Sequence, residues 1–219
     1  MEIIYTLDSP EIQALSAADA RLAVVIKHYG NLTYSLHADA FTFFVETIMS
    51  QMLSSKAATA ITSRLYNLCG STLTSEVILK LDVSALRNIG LSTNKAVSIL
   101  GLATLMERDP QFFCKLANLP DNEIISQISA LRGLGPWSAK MYLIFVLNRL
   151  NVLPYEDSAF LQAYKWLYAT EYLTPNAIKQ QCEPWVPYSS LAARYLYKAL
   201  DFGLIKNREI NEKLYQIVN

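Results

Sequence analysis

The sequence predicts an all-α protein. Apolar residues recur at helical spacing along most of the chain, and the stripes are bounded by residues that start and stop helices. Alternating, strand-like patterning is confined to the first few residues. Leu22, Val25, Ile26 and Tyr29 form the first stripe, with Gly30 as its stop, and Phe41, Phe44, Val45, Ile48 and Met49 form the next. Ser54 or Ser55 can cap a helix carrying Ala57, Ala58, Ile61, Leu65 and Leu68, ended by Gly70. Helices are then expected over 92–108, from Pro120-Asp121 to Leu131, and from Pro136 to Leu150, the last apolar nearly all round. Asp157 to Tyr168 follows, then a helix opened by Thr174-Pro175, and finally 189–202 and 209–218. That makes about ten helices with short connections, no internal repeat and no linker between independent domains.

The 219 residues suffice for one domain or for two small lobes sharing a core. Charged residues make up 17% and hydrophobic residues 52%, which excludes a disordered chain. Seven glycines and eight prolines exclude a low-complexity or collagen-like one. No apolar run approaches the roughly 18–20 residues of a spanning helix. The start, MEIIYTLDSPE, has neither the basic nor the apolar region of a secretory signal. Cys69, Cys114 and Cys182 are scattered, with no CxxC, so a reduced, intracellular setting is expected.

Nineteen basic and nineteen acidic residues give a formal charge of zero. By itself this argues against a nucleic-acid binder, but the charge is uneven. Residues 124–155 contain no acid yet hold Arg132, Lys140 and Arg149, while the first twenty residues carry Glu2, Asp8, Glu11 and Asp19 and no base. A neutral sum can therefore hide a positive face.

That acid-free stretch contains Leu131-Arg132-Gly133-Leu134-Gly135-Pro136-Trp137-Ser138-Ala139-Lys140. One helix ends at Leu131 and another begins at Pro136. Gly133 and Gly135 permit positive φ and leave backbone N–H groups unshielded. The next helix adds its own N-terminal N–H groups and positive dipole end. Such a turn can hold a phosphate without reading a base. Gly-x-Gly alone favours a tight turn between helices with no ligand.

The segment LRGLGPWSAKMY resembles the helix-hairpin-helix motif of DNA glycosylases, L-P-G-I/V-G-x-x-S/T-A, with Arg132 in place of the usual Pro. Leu153-Pro154-Tyr155-Glu156-Asp157 resembles the F/L-P-x-x-D of the 3-methyladenine DNA glycosylase II branch, and Asp157 follows Trp137 by 20 residues, as in that branch. Three further blocks are similar to family patterns: FTFFVETIMSQMLSSKAATAITSRL (41–65), LRNIGLSTNKAVSILGLA (86–103) and EPWVPYSSLAARYLY (183–197). The blocks stand in the family's order. Singly each is weak; together they are specific.

The resemblance implies a two-lobed helix-hairpin-helix glycosylase fold with an active-site cleft between lobes. One lobe is expected over 40–150, ending in the hairpin, and the other over 1–39 with 151–219. The small sheet domain that precedes this core in some relatives is expected to be absent. The implied reaction is hydrolysis of the N-glycosidic bond of an alkylated purine flipped from duplex DNA, 3-methyladenine first and 7-methylguanine next.

Asp157 is the implied catalytic residue. As the first residue of a helix after a Pro-initiated turn, it also suits an N-cap, and hydrogen bonds from backbone N–H groups favour the charged form of a carboxylate. A fixed carboxylate stabilises the positive charge that develops on the sugar and orients the attacking water. Trp137 occupies the place where bifunctional relatives carry a nucleophilic Lys, so a monofunctional hydrolase is expected. Trp137, Met141 and Tyr197 are the implied base pocket, an electron-rich ring suiting a cationic purine; the plain alternative for Trp137 is core packing. Gln51 and Met52 correspond to the turn entering the minor groove, with Met52 as the wedge, or else a helix-end core residue. Arg132, Gly133, Leu134 and Gly135 would contact phosphate, and Lys140 reads as a surface or phosphate-facing base. Ser189 stands where relatives often have Arg.

No cofactor is expected to be required. A sodium or potassium ion at the hairpin would be held by the backbone carbonyls of Ser129, Leu131 and Leu134. Relatives with an iron–sulfur cluster use four clustered cysteines near the C-terminus, where this chain has only Cys182, so no cluster is expected. The expected partner of a monomeric protein is damaged double-stranded DNA, bound with modest, salt-sensitive affinity. A glycosylase for other damaged bases, one with lyase activity, and a non-catalytic helix-hairpin-helix DNA binder remain alternatives.

Overall fold

The computed structural model describes residues 2–70 and 72–217. The described residues form two compact units: one runs through Leu36 and resumes at Asn148, and the other is His37–Leu147. Among the described residues no helix is long and apolar enough to cross a membrane.

The first unit opens on a short antiparallel ribbon of β1 (Glu2–Tyr5) and β2 (Leu32–Ser35), with Glu2 opposite Ser35 and Tyr5 opposite Leu32. Between the strands lie α1 (Pro10–Ala18) and α2 (Ala20–Tyr29). The sequence pattern missed β2 and α1. Four residues are too few for alternation to stand out, and α1 buries only Ile12 and Leu15. Gly30 stops α2 as expected, at φ 65°, a conformation that favours glycine.

The second unit is built from eight helices among the described residues: α3 (Ala40–Ser50), α4 (Ser55–Leu68), α5 (Ser75–Ile78), α6 (Val83–Asn88), α7 (Thr93–Arg108), α8 (Phe112–Leu116), α9 (Asp121–Ser129) and α10 (Pro136–Phe145). Five of them begin on a side chain that accepts a backbone N–H: Asp39, Ser54, Thr74, Asp82 and Ser92. Each such cap is worth about 1 kcal/mol. Helix α3 is apolar on most sides and packs against both α7 and α10. Phe44 is its centre, 5.0 Å from the Tyr142 ring and 5.3 Å from Phe113. Helix α10 stops five residues short of the expected Leu150. Leu147 N–H reaches back to the Tyr142 carbonyl, and Asn148 turns to φ 53°.

The first unit is completed by α11 (Ser158–Tyr168), α12 (Pro175–Gln181), α13 (Ser189–Asp201) and α14 (Arg208–Gln216). The sequence pattern carried the last helix to Val218, which lies outside the described residues. Helix α13 runs through the middle of this unit and packs on α11 and α2. Ala192 and Ala193, both fully buried, let the neighbouring helices approach closely. Asp19 ties the unit's ends together. Its carboxylate caps α2 through Arg21 and Leu22 N–H and accepts from Tyr168 Oη and Trp185 Nε1.

Candidate functional site

In the first unit the turn at 154–157 is closed by Asp157 N–H donating to the Pro154 carbonyl, 2.9 Å. Asp157 then caps α11, its Oδ1 accepting Phe160 N–H at 2.7 Å. Its side chain is almost entirely withdrawn from water, with 8% of the residue exposed. The neighbouring Glu156 is exposed. Tyr197, on α13, lies within the electrostatic reach of Asp157. Burial first, and the Asp157 charge second, push the Tyr197 hydroxyl far above its ordinary value, so it stays protonated.

Behind Tyr197 sits a group that sequence reasoning missed. Arg194 is buried, its guanidinium 3.6 Å from the centre of the Tyr34 ring. Burial lowers its pKa, partly opposed by Tyr34 and Tyr197. Tyr34 Oη in turn donates to Asn148 Oδ1 at 2.9 Å, fixing the residue at which the chain re-enters this unit. Ser189, where relatives often have Arg, donates to Asn151 Oδ1 at 2.9 Å, so its hydroxyl ties the α13 N-terminus to the preceding loop.

In the second unit, α9 and α10 are joined by the turn expected from the sequence. Leu131 N–H bonds the Ile128 carbonyl and Leu134 N–H bonds the Leu131 carbonyl. Leu134 is buried and anchors the turn, while Arg132 and Gly133 are exposed. Gly133 has φ 82°, and a Cβ there would meet Ser98 Oγ at 2.5 Å, so glycine is required twice over. Gly135 differs from expectation: its backbone is extended, with φ −147°, and no positive φ is used. A Cβ at Gly135 would meet nothing within 4 Å. No side chain caps the N-terminus of α10, whose first residue is Pro136.

Trp137 and Met141, four residues apart, share one side of α10. Trp137 is half-buried and Met141 buried. Lys140 corrects the expectation of a surface base. Only 7% of it is exposed, because α10 buries every residue from Ser138 to Ile144. Arg132 keeps its exposure and donates to Asn94 Oδ1 at 3.4 Å.

The turn after α3 is where Gln51 and Met52 part company. Gln51 Nε2 donates to the Gly133 carbonyl at 2.9 Å, spending its amide on the hairpin. Met52 is 100% exposed and adopts φ 56°. It is therefore not a helix-end core residue. The left-handed conformation costs a residue with a Cβ roughly 1–2 kcal/mol. Among the described residues no group of three or more His, Cys, Asp or Glu side chains is placed to hold a metal.

This arrangement has close counterparts. A DNA-3-methyladenine glycosidase from Bacillus halodurans superposes with a TM-score of 0.82 at 30% identity, covering 97% of this chain and 99% of that one. A Schizosaccharomyces pombe 3-methyladenine DNA glycosylase, solved in complex with abasic DNA, gives 0.77 at 26% identity over 87% of this chain and 96% of that one. In sequence, DNA-3-methyladenine glycosylase 1 of S. pombe is 29% identical over 205 residues, 90% of this chain and 89% of the relative. The family model described as HhH-GPD superfamily base excision DNA repair protein matches residues 45–187, a span that takes in the Met52 turn, the hairpin and Asp157. The chain belongs to the HhH-GPD superfamily of base excision DNA repair proteins.

Proposed function

We propose that this protein is a monofunctional DNA glycosylase. It hydrolyses the N-glycosidic bond of an alkylated purine, 3-methyladenine or 7-methylguanine, flipped from duplex DNA. The observation that carries this reading is Asp157, a carboxylate withdrawn from water and held in one orientation by Phe160 N–H.

Cleaving the glycosidic bond leaves positive charge on the sugar, and a fixed carboxylate stabilises that charge without reorganising at the moment of reaction. The same carboxylate orients the water that attacks C1′. Tyr197 keeps its proton and so presents a neutral hydroxyl near that charge. Trp137 offers a ring face to the cationic base, with Met141 beside it. A tryptophan at this place has no amine to form a Schiff base, so the products are a free base and an intact abasic site. Arg132 and the backbone of Gly133, Leu134 and Gly135 hold a phosphate, and Met52 fills the gap left by the flipped nucleotide.

A sodium or potassium ion at Ser129, Leu131 and Leu134 belongs to the same proposal. If such an ion binds, these three carbonyl oxygens would hold it, and its charge would add to the attraction of the hairpin for a phosphate. The protein is read as an intracellular monomer acting on the genome.

The test is to incubate the protein with methylated duplex DNA and identify released bases by mass spectrometry, with Asp157→Asn beside it. Release of methylated purines, lowered at least about a hundredfold in the variant, is expected. No release, or equal release by the variant, overturns the reading. Borohydride trapping of a covalent DNA adduct would replace it with a lyase.

A further inference from the structure

Lys95 lies in the first turn of α7, yet its ammonium serves another helix. Nζ donates to the Met49 carbonyl at 2.8 Å and to the Gln51 carbonyl at 2.6 Å. These oxygens are at the C-terminal end of α3, where a helix leaves its last carbonyls without intrahelical donors and its dipole is negative. An ammonium has three donors and a full charge, so it suits two such carbonyls at once. Burial lowers the Lys95 pKa, as expected of a cation partly removed from water.

The next residue is Met52, in a left-handed conformation with its whole side chain in solvent. Such a residue gains nothing from the core to offset its backbone strain. The turn is instead held from both sides: Leu53 N–H bonds the Ser50 carbonyl at 3.1 Å, and Lys95 grips the carbonyls before Met52. The same stretch of α7 also meets the hairpin. Asn94 accepts from Arg132 and Ser98 lies against Gly133, while Gln51, in the turn after α3, donates to the Gly133 carbonyl.

We propose that Lys95 is a positioning residue that holds the Met52 turn in its exposed, left-handed shape and in register with the hairpin. When the hairpin holds a phosphate, Met52 is then presented at a fixed reach. The proposal rests on the glycosylase reading above and adds to it a residue that touches neither base nor sugar. Its loss should impair extrusion of the base and spare the bond-breaking step.

Lys95→Met keeps the stem and removes the ammonium. Single-turnover excision of 7-methylguanine is measured from a fully paired duplex and from the same lesion in a one-nucleotide bulge, where extrusion is easier. The variant should lose roughly tenfold on the duplex and less than about threefold on the bulge. Lys95→Arg should recover most of the loss. A Lys95→Met, Met52→Ala double variant should be no slower than the slower single variant, because both act through one side chain. Backbone amides of residues 50–54 should exchange faster in Lys95→Met.

Equal loss on duplex and bulge, additive losses in the double variant, or unchanged exchange at 50–54 would overturn the proposal. If the wild-type protein releases no base from either substrate, the glycosylase reading fails, and exchange at 50–54 alone decides the role of Lys95. If Lys95→Met does not fold, Lys95→Gln takes its place in every measurement.

Discussion

Ser98 and Gly133 are so close that a Cβ on residue 133 would sit 2.5 Å from Ser98 Oγ and 2.8 Å from Ser98 Cβ. The contact is what seats the hairpin on α7, and it comes with a backbone at φ 82° that residues with a Cβ rarely adopt. Gly133→Ala should therefore destabilise the protein by about 2–4 kcal/mol, through overpacking and backbone strain together. Ser98→Gly in the same chain opens the space but leaves the strain, and should return only part of that loss. Urea midpoints of the two single variants and the double variant measure this. A Gly133→Ala protein as stable as wild type would show that the turn yields.

Trp137, proposed above to face the base, should separate excision from binding. Half-buried at the start of α10, it is not wholly committed to the interior. Trp137→Ala should reduce excision of a methylated base by roughly ten- to a hundredfold while changing affinity for undamaged duplex by less than about threefold. Excision rates and fluorescence anisotropy at fixed salt are the two measurements. Equal losses in both would mark Trp137 as a structural residue.

The buried tyrosines predict how stability depends on alkaline pH. Burial pushes Tyr34 and Tyr195 up to about 12, and Tyr197 and Tyr168 higher still. In the unfolded chain a tyrosine titrates near 10. Between about pH 10 and pH 12 the unfolded state has lost these protons and the folded state keeps them, so stability falls as pH rises. Below about pH 10 this contribution is flat. Urea midpoints at pH 8, 10 and 11, together with tyrosinate absorbance, check the sign. A midpoint that rises between pH 10 and 11 would contradict it.

Much of the site was legible because its signals are local. Asp157 was expected to cap a helix and does, accepting Phe160 N–H. Pro136 was expected to open α10, and Ser92 to mark the start of α7, and both do so. Capping and helix periodicity act over a few residues, so the sequence displays them. The signal for α1 was present as well, in Ser9-Pro10-Glu11, but only two of its residues are buried and its stripe is faint.

What escaped the sequence depends on residues far apart in the chain. Lys140 has the look of a surface base, yet α10 carries it inside. Lys95 appears in a helix-start pattern as an ordinary basic residue, and only packing shows that it serves Met49 and Gln51. Arg194 gives no hint that it stacks on Tyr34. Gly135 reads like Gly133 in Gly-x-Gly, but only Gly133 uses a positive φ, because only there does the chain turn against Ser98.

The sequence by itself determined the helical class, the hairpin, the place of Asp157 and the family. Periodicity, caps and glycine stops are short-range constraints written in adjacent residues. The tertiary structure alone decided which cations reach solvent, which glycine takes a positive φ against a close neighbour, and that Met52 stands in solvent. Those outcomes depend on which side chains meet across the packed helices, and burial, not residue type, then fixes what each one is able to do.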